Sequence, residues 1–279
     1  MHIKYILSHP IQYQSPLIRY LVKKRLNITV LYRSNISVKK FFDPGFGKKI
    51  KWDIDLLKGY KFDFLKFIGS NKIGHISPIT TEFVNKIFTN KTDIIWLHGT
   101  KTWYNICIMV LSKFFKKKVF IRDEAHQFSK NRTILNNFLN YLFYQFFDKF
   151  IDIYLAIGTA NKKYYIRNNI NKKKVISVPY AVNNKFFYKK IKKNNNKNKK
   201  IVFMFAAKLT YRKGPDLLLE SIKLIKKYRN FSLNTEFLIV GDGEMKEQLI
   251  QFTLMNSELE SYHHENKRLK QMLNFVENQ

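Results

Sequence analysis

Over residues 1–185, short apolar runs alternate with stretches whose apolar positions recur every three or four residues. The runs predict strands over 3–8, 28–32, 63–67, 93–97, 118–122, 153–157 and 175–178. The periodic stretches predict helices over 15–24, 80–88, 104–115, 133–147 and 160–168. Strands joined through helices pair in parallel by right-handed crossovers, and both faces of such a sheet are covered. Ligands of these sheets bind at the carboxyl ends of the strands, in the loops that enter the helices.

A Lys- and Asn-rich segment over 189–200 has almost no apolar residue and reads as a solvated linker. Beyond it a second strand–helix–strand unit is expected over 201–206, 215–226 and 236–240. The turn Gly241-Asp242-Gly243 then leads into another helix. From Phe252 the chain is polar and helical in pattern, with Leu269, Met272, Leu273 and Val276 on one face. The expected division is a first domain over 1–185, a linker over 186–200 and a second domain over 201–279. One strand–helix–strand unit plus one helix is about half of a doubly wound domain, so the second domain reads as incomplete.

Composition narrows the class. The 279 residues are 45% hydrophobic and 16% aromatic, which suits a globular protein and excludes a disordered one. The net charge of +31 draws the chain to polyanions. Only nine of the 51 basic residues are Arg, the residue that reads guanine, so a dedicated nucleic-acid binder is disfavoured. The single cysteine, Cys107, excludes an internal disulfide and a cysteine-based zinc site. There is no signal segment at the start and no apolar run of about 18 residues, so a cytoplasmic location is expected. The aromatic helix ending at Phe147, with Lys116, Lys117 and Lys118 nearby in sequence, reads as a core helix. The other reading is peripheral contact with an anionic membrane.

Candidate chemistry gathers in the loops at strand ends. Lys208 and Lys213 bracket a loop between an expected strand and a helix that begins just after Gly214. Two ammonium groups beside a helix start suit a phosphate group. The first loop, Ser8-His9-Pro10-Ile11-Gln12-Tyr13-Gln14-Ser15-Pro16, presents His9, Gln12 and Gln14, with Ser15 as the expected helix cap. In the second, Gly99 turns the chain and exposes His98, able to bond a ligand hydroxyl or move a proton. The third places Arg122, Asp123, Glu124 and His126 together, either as an internal network or as a substrate contact. No nucleophile elbow, Walker loop or Gly-x-Gly-x-x-Gly occurs. His263 and His264 are adjacent and cannot share a helix face, so no metal site is expected there.

The run Phe205-Ala-Ala-Lys208-Leu-Thr-Tyr-Arg-Lys213-Gly214 followed by Pro-Asp-Leu-Leu-Leu resembles that of the GT-B glycosyltransferases, family 4 retaining enzymes. So do the strand and turn Phe237 to Glu244, the segment Val178 to Asn183 with Phe186 and Phe187, and Tyr154 to Gly158 with Lys163-Tyr-Tyr. Segments 52–60 and 8–16 are similar to one subgroup's acceptor domain. The resemblance covers roughly residues 1 to 251. It implies an α/β, GT-B-like fold: an N-terminal Rossmann-like domain and an incomplete second one. It implies transfer of a sugar from a nucleoside-diphosphate sugar to a hydroxyl, with retention, in cell-surface glycan synthesis. Lys208, Lys213 and Gly214 would hold the donor diphosphate, with Gly241, Asp242 and Gly243 on the donor side. His98 would contact the donor sugar as the catalytic residue, while His9, Gln12 and Glu124 would border a glycan or lipid-linked acceptor. No metal or other cofactor is required. The family's acidic Glu-x7-Glu pair lies later than this chain extends, so it reads as a truncated or split member. The alternative is a non-catalytic sugar-nucleotide or polyanion-binding remnant.

Overall fold

The computed structural model describes residues 1–69, 71, 73, 74, 79, 80, 82–127, 133–182, 184, 188, 201–227 and 235–255. The expected tail face, His263, His264, Asn183, Phe186, Phe187 and the linker except for Tyr188 lie outside these residues. The chain divides into two units, Met1–Lys40 with Lys51–Tyr188, and Phe41–Ile50 with Lys189–Gln279.

The first unit is built on a seven-stranded sheet of β1 (His2–Leu7), β2 (Asn27–Tyr32), β5 (Lys61–Phe64), β8 (Ile94–His98), β9 (Lys118–Arg122), β10 (Ile153–Ala156) and β11 (Val175–Ser177). Its order is β11-β10-β9-β8-β1-β2-β5, and every pairing is parallel. The chain steps from β1 outward to β2 and β5, then returns to the other side of β1 with β8. That reversal puts the topological switch point between β1 and β8, where sheets of this kind bind ligands.

Helices α1 (Gln14–Lys23), α2 (Phe83–Ile87), α3 (Trp103–Phe114), α4 (Ile134–Phe147) and α5 (Thr159–Arg167) connect the strands. One apolar cluster on the sheet unites Leu97, Ile108, Ile121, Tyr144 and Tyr165. Another unites Tyr5, Ile18, Val30, Tyr32 and Trp96, with the Tyr5 and Trp96 rings stacked 4.0 Å apart across β1 and β8. The expected strand over 63–67 divides into β5 and the short β6 (Phe67–Ile68), which pairs antiparallel with β7 (Ile79–Thr80). Thr80, expected in a helix, is therefore in a strand.

The start of α1 also differs from expectation. Its cap position is Tyr13, with no side-chain cap, and Ser15 lies inside the first turn. The Ser15 hydroxyl is buried and donates to the Leu56 carbonyl at 2.7 Å, a better partner than its own helix start. Pro16 is tolerated there because N–H groups of a first turn have no intrahelical acceptor.

In the second unit β12 (Ile201–Ala206) and β13 (Thr235–Val240) pair in parallel, followed respectively by α6 (Pro215–Lys227) and α7 (Lys246–Met255). Leu209, Leu219, Ile222, Met245 and Leu249 form its core. Ile201, Val202, Phe203 and Met204 of β12 remain exposed. The antiparallel hairpin of β3 (Phe41–Asp43) and β4 (Lys48–Ile50) belongs to this unit, although its sequence interrupts the first.

Candidate functional site

In the second unit the loops after β12 and β13 extend the strand ladder. Ala207 N donates to Val240 O at 3.1 Å, Leu209 N to Asp242 O at 2.8 Å, and Met245 N to Leu209 O at 3.0 Å. This backbone contact explains the glycines of 241–243. A Cβ on Gly241 would lie 1.9 Å from Ala207 O, and one on Gly243 would lie 2.5 Å from Leu209 O. Both also have positive φ, which side chains disfavour. After Leu209 the chain makes a 3-10 turn over Tyr211–Lys213, and Gly214 in the left-handed conformation (φ 66°) leads into α6. The strand–loop–helix arrangement expected around Lys208 is therefore present.

The two ammonium groups have different surroundings. Lys213 is exposed, next to the helix start. Lys208 Nζ binds both carboxylate oxygens of Asp43, at 2.6 and 2.8 Å, and lies 4.6 Å from the Phe46 ring. Asp43 is held for this by its own turn, since Gly45 N donates to Asp43 Oδ1 at 2.8 Å. Gly45 also leaves room for the lysine, because a Cβ there would come within 2.7 Å of Lys208 Cδ. A second ion pair joins the hairpin to the glycine turn, Lys48 Nζ to Asp242 Oδ2 at 2.8 Å. Burial would raise the Asp242 pKa, but the Lys48 hydrogen bond, the Lys246 charge and the Gly243 N–H together bring it below the usual value. Asp216 in the first turn of α6 places a carboxylate at the positive end of the helix, so the ammonium groups are the stronger anion term.

In the first unit three loops meet the carboxyl edge of the sheet. His98 ends β8 and pairs in register with Arg122 at the end of β9. Gly99 (φ 88°) turns the chain there, and Asn105 Nδ2 fixes the turn by donating to the carbonyls of His98 and Gly99 at 3.1 and 2.9 Å. Burial lowers the His98 pKa, partly countered by the Glu124 charge, so the ring is held neutral. Its Nδ1 is buried and, among the described residues, has no hydrogen-bond partner.

Asp123 is an internal anchor. It accepts from Thr100 Oγ1 at 3.1 Å, Tyr165 OH at 2.5 Å, Asn161 Nδ2 at 3.3 Å and Ala125 N at 3.1 Å. The Arg122 guanidinium is 1% exposed and lies 4.5 Å from the Tyr180 ring. Tyr180 OH in turn donates to Glu124 at 2.8 Å, and Glu124 is exposed. Of the loop after β1, His9 is half-buried with Nδ1 2.9 Å from Ser8 Oγ, and burial takes its pKa down to about 4. Gln12 is exposed, whereas Gln14 is buried and accepts from Tyr5 OH at 3.1 Å.

The structure thus brings His98, Arg122, Asp123 and Glu124 to one edge of the first unit, and Lys208 to the glycine turn of the second. Sequence reasoning missed Asp43, Gly45, Phe46 and Lys48. The only local signal was Asp43-Pro-Gly-Phe-Gly47, a turn pattern with nothing to indicate its distant partner. Among the described residues no group of three or more His, Cys, Asp or Glu side chains could hold a metal ion.

The all-parallel first sheet and the strand–helix repeat of the second unit are those of the GT-B fold. Residues 187–272 match the family model described as glycosyl transferases group 1. No curated protein matches the chain. Among solved structures it is similar to Anabaena HepE in complex with UDP, with a TM-score of 0.61 and 12% identity, over 94% of this chain and 67% of that one. HepE has also been solved with UDP-glucose. The lipopolysaccharide outer core galactosyltransferase WaaB is similar at a TM-score of 0.54 and 16% identity, over 94% of this chain and 66% of that one. UDP-GlcNAc 2-epimerase from Methanocaldococcus jannaschii is similar at a TM-score of 0.50 and 18% identity, over 92% and 70% of the two chains. The chain spans about two thirds of the length of HepE and WaaB.

Proposed function

We propose that the chain is a retaining glycosyltransferase that moves a sugar from a nucleoside-diphosphate sugar to a hydroxyl of a glycan or lipid-linked acceptor, in the cytoplasm, for cell-surface glycan synthesis. The observation that carries this reading is the Lys208–Gly214 loop. It lies inside the matched segment and runs against the glycine turn at 241–243. HepE is recorded with UDP and UDP-glucose, which supports a uridine-diphosphate sugar as donor.

The chemistry asked of this loop is stabilisation of a leaving group. As the bond from the sugar to the diphosphate breaks, negative charge grows on the phosphate oxygens, and Lys208 and Lys213 favour that state over the ground state. Such a site uses ammonium charge where other enzymes use a metal ion. His98, held neutral by burial, is assigned to a donor-sugar hydroxyl, and His9, Gln12 and Glu124 to the acceptor side.

The test is turnover and UDP binding by the full chain and by Lys213→Ala. Loss of about a hundredfold in turnover is expected, the usual cost of removing one group that stabilises developing charge. Unchanged turnover in the variant would defeat the assignment. UDP binding without turnover under any acceptor would instead favour the non-catalytic remnant. Because an epimerase shares the fold, the products are resolved: isomerised donor formed without acceptor would overturn the transfer reading.

A further inference from the structure

Helix α4 packs Phe143, Tyr144 and Phe147 against the core of the first unit and leaves a second apolar face outward. Of its fourteen residues only Tyr144 is buried, and none is charged. Ile134 is 90% exposed, Leu135 64%, and Phe138, Leu142 and Phe146 between 45% and 55%. Residues 134, 138, 142 and 146 are spaced by four, so they form one apolar stripe about 20 Å long. The core accounts for Phe143, Tyr144 and Phe147 but not for this outer stripe, because a helix that packs on a sheet ordinarily turns a polar face to water.

A second exposed apolar side chain stands at the end of α3. That helix contacts the turn over Asp148–Phe150, just after α4, and its last residue, Phe114, is 77% exposed. Cations surround this end. Lys149 Nζ lies 4.3 Å from the Phe146 ring, and Lys113 and Lys116 are exposed beside Phe114.

We propose that α4 and the end of α3 form a docking surface for an anionic lipid bilayer, with the apolar stripe among the acyl chains and the lysines at the headgroups. Aromatic and aliphatic residues flanked by lysine are what an interfacial helix presents to such a membrane. Charge decides against a second copy of the chain as the occupant. Two molecules of net charge +31 would have to bring basic rims together, whereas an anionic lipid surface attracts them. The surface lies outside the sugar-transfer residues, and the inference does not depend on that activity.

The test uses the full chain with phosphatidylcholine vesicles and with the same vesicles carrying phosphatidylglycerol, read by co-sedimentation. Wild type is expected to partition onto the anionic vesicles. Combined Phe138→Ser, Leu142→Ser and Phe146→Ser is expected to weaken that partition tenfold or more. These side chains are about half exposed, so a modest fall in melting temperature is expected; it is measured alongside, and partition is compared at a temperature where both proteins are folded. Absence of wild-type binding overturns the proposal, as does anionic binding that the triple variant leaves unchanged, since lysines alone would then explain it. A wild-type dimer that the triple variant dissociates would reassign the stripe to self-association. Neither assay contains donor or acceptor, so their failure is separable from failure of the transferase reading.

Discussion

At the scale of single residues, the best-defined contact is the clamp of Asp43 on Lys208. A carboxylate occupies the ammonium group that the proposed diphosphate needs, and it is only 12% exposed. An incoming phosphate must either displace this carboxylate or bind beside a neutralised lysine. Asp43→Asn removes the competing charge and keeps the side-chain shape. UDP binding to that variant should tighten between threefold and tenfold, about 0.7 to 1.4 kcal/mol, by calorimetry. Weaker binding would mean that Asp43 positions Lys208 and does not compete for it. Residue roles were only partly legible in the sequence. Lys208 and Lys213 stood out because strand, basic loop and helix are contiguous. Asp43 did not, because 165 residues separate it from its partner and no local pattern encodes that distance. Asp123 and Arg122 were visible as a group, but their separate roles depend on Thr100, Asn161, Tyr165 and Tyr180, which only folding brings near.

At the scale of elements, apolar runs located six strands of the large sheet, because strands buried on both faces leave continuous hydrophobic segments, whereas the exposed edge strand β5 met its expected range only at Asp63 and Phe64. What failed were the short pieces. The two-residue β6 and β7 and the three-residue β3 and β4 are too brief to carry a period. Pattern also could not tell which way α4 faces. Its sequence is apolar almost all round, and such a helix suits a core or a membrane surface equally. The paired turns after β12 and β13 allow a sharper forecast. Gly241→Ala places a methyl group on the Ala207 carbonyl, so the ladder of the second unit must open there. Destabilisation of about 2 to 4 kcal/mol is expected, seen as a lower urea midpoint of the transition that includes α6 and α7. Gly47→Ala is the control: its φ is also positive, but nothing lies near the added carbon, so the loss should stay near 1 kcal/mol.

At the scale of the molecule, acid should loosen the first unit through its buried histidines. His9 has a folded pKa of about 4 against an ordinary 6.5, and the His98 pKa is lowered in the same direction. Between these values the unfolded chain binds protons that the folded chain refuses, so stability falls as pH drops from about 6.5 towards 4. Above that window the histidines impose no penalty. His9 contributes at most about 3 kcal/mol to the loss, less whatever solvent screening removes. The melting temperature of His9→Gln should decline less steeply than wild type across this window; parallel profiles would exclude His9 as the source.

Placement of the Phe41–Ile50 hairpin in the second unit has a consequence for biosynthesis. Asp43 leaves the ribosome 165 residues ahead of Lys208, an interval of roughly 8 to 30 seconds at ordinary translation speeds. For that time Asp43 and Lys48 wait for Lys208 and Asp242, while the strands on either side of the hairpin are already able to pair. The nascent chain therefore has to assemble one sheet around a loop reserved for a later one.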